Sequence, residues 1–157
     1  MTSLKLGDAI PKIQVSATTE QSINFADYHG RNIILYFYPK DSTPGCTQEG
    51  QDFRDRFEEF SALNCTIFGV SRDSINSHNN FKCKQNFPFE LISDADESLC
   101  QLFDVIKMKN MYGKQVRGIE RSTFLINAEG ILCHEWRKVK VKGHIDDVLQ
   151  TLTALSG

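Results

Sequence analysis

The longest unbroken apolar run in the chain, Ile33-Ile34-Leu35-Tyr36-Phe37-Tyr38, is β-branched and aromatic at both sets of alternate positions, the pattern of a strand buried on both faces. Pro39 cannot donate to a ladder and ends it. Phe53, Phe57 and Phe60 then recur at helical spacing among charged residues and predict one amphipathic helix over residues 44–63. A second buried strand is expected over 65–70, followed by a helix capped by Asp73 or Ser74 that runs to Gln85, and a weaker helical segment over 97–103. Residues 122–126 and 131–136 read as strands joined through Asn127-Ala128-Glu129-Gly130, a hairpin composition. Ile145, Val148, Leu149 and Leu152 share one face of a last helix over 144–155. Two short strands over 13–15 and 23–25 predict a hairpin in front of all this.

The order β-α-β, helices, then β-β-α predicts an α/β fold with a central mixed sheet flanked by helices, thioredoxin-like, with the N-terminal hairpin as an extension. No repeat, low-complexity tract or linker divides the 157 residues, so one domain over 1–157 is expected, long enough to bury a full core. Hydrophobic residues make up 40% and charged residues 24%, with a net charge of −2, which gives no reason to expect a nucleic-acid or anionic-membrane partner. The apolar run at 33–38 is far short of the ~18 residues that cross a bilayer. The first residues, MTSLKLGDAIPKI, lack the basic cluster and apolar block of a secretory signal, so a cytoplasmic place is expected.

Five cysteines, at 46, 65, 83, 100 and 133, are an odd number without any Cys-x-x-Cys pair, which argues against both a disulfide framework and a structural zinc site. Cys65, Cys100 and Cys133 lie within apolar patterns and read as inert core thiols. Cys46 differs. It follows Pro39-Lys40-Asp41-Ser42-Thr43-Pro44-Gly45, between the carboxyl end of the strand at 33–38 and the next helix, where ligands of open α/β sheets gather. With Thr43 as N-cap and Pro44 at the first helical position, Cys46 falls in the first turn, facing the positive end of the helix dipole. That favours the thiolate, which is the nucleophile, over the thiol.

At these residues the sequence resembles a known family. YFYPKDSTPGCT is similar to the active-site stretch of peroxiredoxins of the peroxiredoxin Q group, also called bacterioferritin comigratory proteins, and the resemblance continues through SHNNF, FELISDAD, ERSTFLIN and EWRKVKVKGH. It implies a thiol peroxidase that reduces hydrogen peroxide and small organic hydroperoxides, is recycled by thioredoxin or a similar dithiol, acts as a monomer, and needs no metal, haem or flavin. Cys46 matches the peroxidatic cysteine, which attacks a peroxide oxygen and becomes a sulfenic acid. Thr43 matches the threonine that hydrogen-bonds the peroxide, Pro39 the proline that shields the thiolate from water, and Arg121 the arginine that stabilises thiolate and transition state. A displacement at oxygen spreads negative charge over sulfur and two oxygens, for which a permanently charged planar fork of donors is suited. Nothing local separates Arg121 from Arg117. Glu49 is read either as orienting the arginine or as an exposed first-turn carboxylate near the dipole.

One departure bears on how the sulfenic acid is resolved. Many members of the group carry a second cysteine five residues after the first; here that position is Gln51. Others carry it on the next helix, where Cys83 is the candidate, although with Phe81 facing the core it points outward, about 200° around the helix. An intramolecular Cys46–Cys83 disulfide therefore requires local unwinding. The alternative is a one-cysteine mechanism with an external thiol. Two readings from other classes are Cys-His hydrolysis with His134 or His144 as base, and a non-enzymatic redox sensor or thiol-metal carrier on the same scaffold. Trp136 with the run Arg137-Lys138-Val139-Lys140-Val141-Lys142 reads as a reductant-docking surface or a solvated strand face.

Overall fold

The computed structural model describes residues 3–156. Strands β1 (Gln14–Ala17) and β2 (Gln21–Asn24) form the expected N-terminal hairpin, and a short 3-10 turn over Phe25–Tyr28 leads to β3 (Asn32–Phe37). Then come α1 (Pro44–Asp55), α2 (Phe57–Ala62), β4 (Cys65–Ser71), α3 (Ile75–Gln85), β5 (Glu90–Ser93) and α4 (Ser98–Leu102). The chain closes with β6 (Ile106–Met111), β7 (Lys114–Ile119), β8 (Ser122–Ile126), β9 (Leu132–Trp136) and α5 (His144–Ser156). The main sheet runs β2-β1-β5-β4-β3-β8-β9, with β3, β4 and β5 parallel and the other pairings antiparallel. This is the mixed, helix-flanked sheet that the hydrophobic pattern predicts.

β3 is buried at every position, and its alternate residues feed two cores. Ile33, Leu35 and Phe37 pack with Phe103 just past α4, Phe25 and Phe124 on one face. Ile34 and Tyr36, with Tyr38 just beyond the strand, pack on the other with Phe53 of α1, Phe60 of α2, Phe81 of α3 and Val148 of α5. Tyr36 stacks on Phe53 at 4.6 Å between ring centroids, the kind of offset aromatic pair that adds to area burial. Its partner in register is Gly69, where a Cβ would sit 2.8 Å from the Tyr36 ring; only glycine leaves the tyrosine room.

Two expectations are corrected, and two further elements carry no sequence signal. The helix over 44–63 is two helices, broken at Arg56 (φ −112°, ψ 13°), whose guanidinium pairs with Glu59 and with Asp146 of α5 and so ties the corner to the neighbouring helix. The break leaves both Phe53 and Phe60 fully buried, with ring centroids 5.6 Å apart. β5 is a four-residue strand that closes a β-α-β unit with β4 and α3; so short an apolar stretch after Phe87-Pro88-Phe89 carries no clear period. β6 and β7 form a separate hairpin turning through Tyr112 (φ 54°) and Gly113 (φ 80°), and most of their residues face solvent, so no apolar alternation announces them. Finally, residues 137–142 are not a strand face. Arg137 donates to the carbonyls of Phe103 and Asp104 and lies over the Phe124 ring, and Lys138 takes a positive φ.

Candidate active site

The site forms where β3 hands the chain to α1. Past Phe37 the Tyr38 N–H still bonds the Val70 carbonyl at 3.0 Å, and half-buried Pro39 then ends the ladder. Ser42 turns the chain through a left-handed conformation (φ 64°) into Thr43, the N-cap of α1, with Pro44 at the first helical position as expected. The Thr43 side chain does not cap the helix; its hydroxyl donates to the Lys40 carbonyl at 2.8 Å, leaving its lone pairs free to accept. Pro44 has no N–H, and the Thr47 N–H is taken by the Thr43 carbonyl. The N–H groups of Gly45 and Cys46 are therefore the donors that the helix end offers to a ligand, among the described residues.

Cys46 is buried in that first turn, only 2% exposed. Its sulfur accepts a hydrogen bond from Arg121 Nη2 at 3.4 Å. The other arm of the same guanidinium, Nη1, reaches Glu49 Oε1 at 2.6 Å. Arg121 sits just before β8, whose antiparallel pairing with β3 carries it across the sheet to the helix end, and its own carbonyl is fixed by the Val139 N–H at 2.9 Å. A Cβ on Gly45 would lie 3.2 Å from Nη2, so the glycine permits the guanidinium its close approach to the turn. Of the two readings of Glu49, the structure shows the orienting contact: the carboxylate is fully buried, not an exposed first-turn group.

The electrostatics follow from these distances. Burial raises Glu49 to a pKa of about 7, with Arg121 pulling back part of that rise. Burial opposes the charge on Arg121 as well, but Glu49 and Cys46 outweigh it and hold the arginine above its ordinary range. Lys109 of β6, which sequence reasoning missed with its hairpin, lays its stem near Gly118 and donates to the Ile119 carbonyl; burial, then the neighbouring Arg121, lower its pKa.

The remaining thiols are set apart. Burial pushes Cys65 up to about 12 and raises Cys100 further; Cys133 is raised in the same way although it is only partly buried. Cys83 is exposed in the last part of α3, as its phase predicts, and is not bonded to Cys46. The two helices nevertheless touch just beyond the cysteines: Gln51 bonds Gln85 at 2.9 Å, Arg54 bonds the Gln85 carbonyl at 2.8 Å, and Gly50 lies against the Phe87 ring. Neither histidine of the hydrolase reading serves Cys46. His144 pairs with Thr123 at 2.8 Å and is pushed down to about 4 by burial, and His134 packs on Trp136.

The profile of the AhpC/TSA family matches residues 6–135. The chain is 62% identical over 125 residues to a Xanthomonas campestris pv. campestris protein named peroxiredoxin Bcp, a match covering 80% of this chain and 78% of the relative. It is 49% identical over 154 residues to peroxiredoxin Bcp of Bacillus subtilis, covering 98% of each. Among solved structures, Xanthomonas campestris peroxiredoxin Q matches with a TM-score of 0.88 at 54% identity over 92% of each chain. A structure of Xanthomonas campestris bacterioferritin comigratory protein, described for its alkyl peroxide reduction activity, matches at 0.89 and 50% identity, covering 96% of this chain and 100% of that one.

Proposed function

The chain belongs to the AhpC/TSA family and is a thiol peroxidase of the peroxiredoxin Bcp/Q group, with a hydroperoxide as substrate and a thiol as reductant; on that premise we propose that Cys46 is the sulfur that meets the peroxide. The observation that carries this is the 3.4 Å hydrogen bond from Arg121 to a cysteine in the first turn of a helix. Helix end and guanidinium both aim positive partial or full charge at the sulfur.

The Cys46 thiolate attacks the terminal oxygen of the hydroperoxide. The S–O bond forms as the O–O bond breaks, and the leaving oxygen departs as alcohol or water after taking a proton. Negative charge passes along the sulfur-oxygen-oxygen line, and Arg121 with the Gly45 and Cys46 N–H groups supplies fixed donors there. Because the Thr43 hydrogen is committed to Lys40, its oxygen accepts the hydroperoxide O–H and aligns the substrate. Pro39 shields the sulfur from water. Glu49 fixes the rotation of the guanidinium about its own axis.

The resulting sulfenic acid is resolved by Cys83 after local unwinding of the helices, and the disulfide is reduced by thioredoxin or a similar dithiol acting on a monomer. The five unpaired cysteines suit a reducing compartment such as the cytoplasm. To test the reading, reduced protein is given dithiol and peroxide, both in large molar excess over the chain, and turnover is counted. Many turnovers that vanish in Cys46→Ser support a peroxidase. A single turnover per chain points to a sensor, and an unchanged rate in the variant overturns the assignment.

A further inference from the structure

Asp41, in the loop between Pro39 and Thr43, is almost fully buried and is the point where four hydrogen bonds converge. Its Oδ1 accepts from the Tyr38 hydroxyl at 2.6 Å; its Oδ2 accepts from the Ser77 hydroxyl at 2.8 Å and meets His78 Nδ1 at 2.7 Å; its N–H donates to Asp73 Oδ2 at 2.9 Å. His78 is wholly buried, and its second ring nitrogen, Nε2, faces the Ile92 carbonyl at 2.9 Å. A carbonyl only accepts, so Nε2 donates to Ile92, while Nδ1 lies within hydrogen-bond distance of the carboxylate. Ser77 and His78 belong to the first turns of α3, which Ser74 caps through the Ser77 N–H at 3.1 Å. Asp41 thus clamps the loop that presents Thr43 to the start of the helix that carries Cys83. Thr43 joins the clamp through the Lys40 carbonyl, one residue away.

We infer that Asp41 and His78 are positioning residues that hold the Cys46 loop and α3 together, and so set how the sulfenic acid divides between resolution and overoxidation. The inference rests on the reading that Cys83 resolves Cys46. Resolution condenses the Cys46 sulfenic acid with the Cys83 thiol, forming the S–S bond and releasing water. Overoxidation transfers an oxygen from a second hydroperoxide to the same sulfur, giving sulfinic acid and alcohol or water. The first step requires local unwinding at the Cys46 loop or in α3, because Cys46 is buried and Cys83 is exposed; the second requires the folded pocket. A buried bond to a charged group is a large share of what local opening must break.

The two arms of His78 allow a test that a merely structural role does not pass. An asparagine places its amide where Nδ1 lies and keeps the donor to Asp41. A glutamine reaches the Ile92 carbonyl in place of Nε2 and loses the arm to Asp41. Each variant removes one bond, so general destabilisation affects both alike. Wild type, His78→Asn, His78→Gln and Asp41→Asn are cycled with dithiol at a series of hydrogen peroxide concentrations, and mass spectrometry reads disulfide against sulfinic acid at Cys46. The peroxide concentration that overoxidises half the protein is expected to rise about tenfold in His78→Gln and Asp41→Asn, and to stay near the wild-type value in His78→Asn. Equal shifts in both histidine variants, or none in any, overturn the coupling, and Asp41→Asn keeps the test valid if one histidine variant does not fold. If the wild type itself forms no Cys46–Cys83 disulfide, the resolving assignment fails, and the inference with it.

Discussion

Glu49 and Arg121, 72 residues apart in sequence, meet at 2.6 Å with the carboxylate fully buried, and the same guanidinium that holds Glu49 donates its other arm to Cys46. The pair makes a charge beside the sulfur directional. It also leaves a cost, because Glu49 Oε2 has no hydrogen-bond partner among the described residues and burial lifts the group to about 7.

That cost has a sign. The folded pKa of Glu49 lies above the ordinary carboxylate value of 4.5, so its contribution to stability is fully present below about pH 4.5 and is lost as pH rises through about 7. The wild type is expected to lose stability between pH 5 and 8 relative to Glu49→Gln, by at most on the order of 3 kcal/mol. Urea unfolding of both proteins across that range checks it; parallel profiles contradict the buried, raised carboxylate.

Arg121→Lys keeps the charge but cannot reach sulfur and carboxylate at once with a rigid fork. The rate of peroxide loss in the first turnover is expected to fall about 10²-fold, the usual effect of losing one preorganised donor. Arg117→Lys serves as contrast, since Arg117 is exposed and pairs with Glu97. Stopped-flow traces in which both variants behave alike contradict the assignment.

Much of this site is legible in the sequence because it is local. The positions of Thr43, Pro44 and Cys46 follow from capping rules alone, and the structure places each there, although the Thr43 hydroxyl turns to Lys40 instead of capping the helix. Arg121 is not local: what separates it from Arg117 is the register of β8 on β3, a pairing between segments about 90 residues apart that no window of sequence contains. Glu49 left a signal that was open to use. Cys46, Glu49, Gly50 and Phe53 are spaced i, i+3, i+4, i+7, so a carboxylate stands inside a buried stripe and needs a cation. The β6–β7 hairpin left none beyond Gly113, and the break at Arg56 depends on Asp146, 90 residues away.

Gly50 is set against the Phe87 ring, where a Cβ would lie 2.4 Å from Cζ. Phe87 is itself held between Phe81 and Phe89, with centroids at 5.0 and 5.1 Å, so it has little room to retreat. Gly50→Ala is therefore expected to destabilise the protein by about 1–3 kcal/mol despite the better helix propensity of alanine. Thermal and urea unfolding read this directly, and a stabilised variant contradicts the close approach.

With Cys83→Ser the intramolecular disulfide is expected to disappear, and sulfinic acid at Cys46 to accumulate at lower peroxide. Turnover with thioredoxin should fall at least about tenfold, because the sulfenic acid must wait for an external thiol. Unchanged turnover together with unchanged overoxidation establishes the one-cysteine route instead.

Cys46, and no other thiol of the five, is expected to meet the peroxide. Reduced protein treated with one equivalent of hydrogen peroxide in the presence of a sulfenic-acid trap, then digested and mapped by mass, tests it most directly. In the Cys83→Ser protein, where no Cys46–Cys83 disulfide competes, the trap is expected on Cys46 alone. Trap on Cys65, Cys100 or Cys133 with Cys46 unmodified contradicts it.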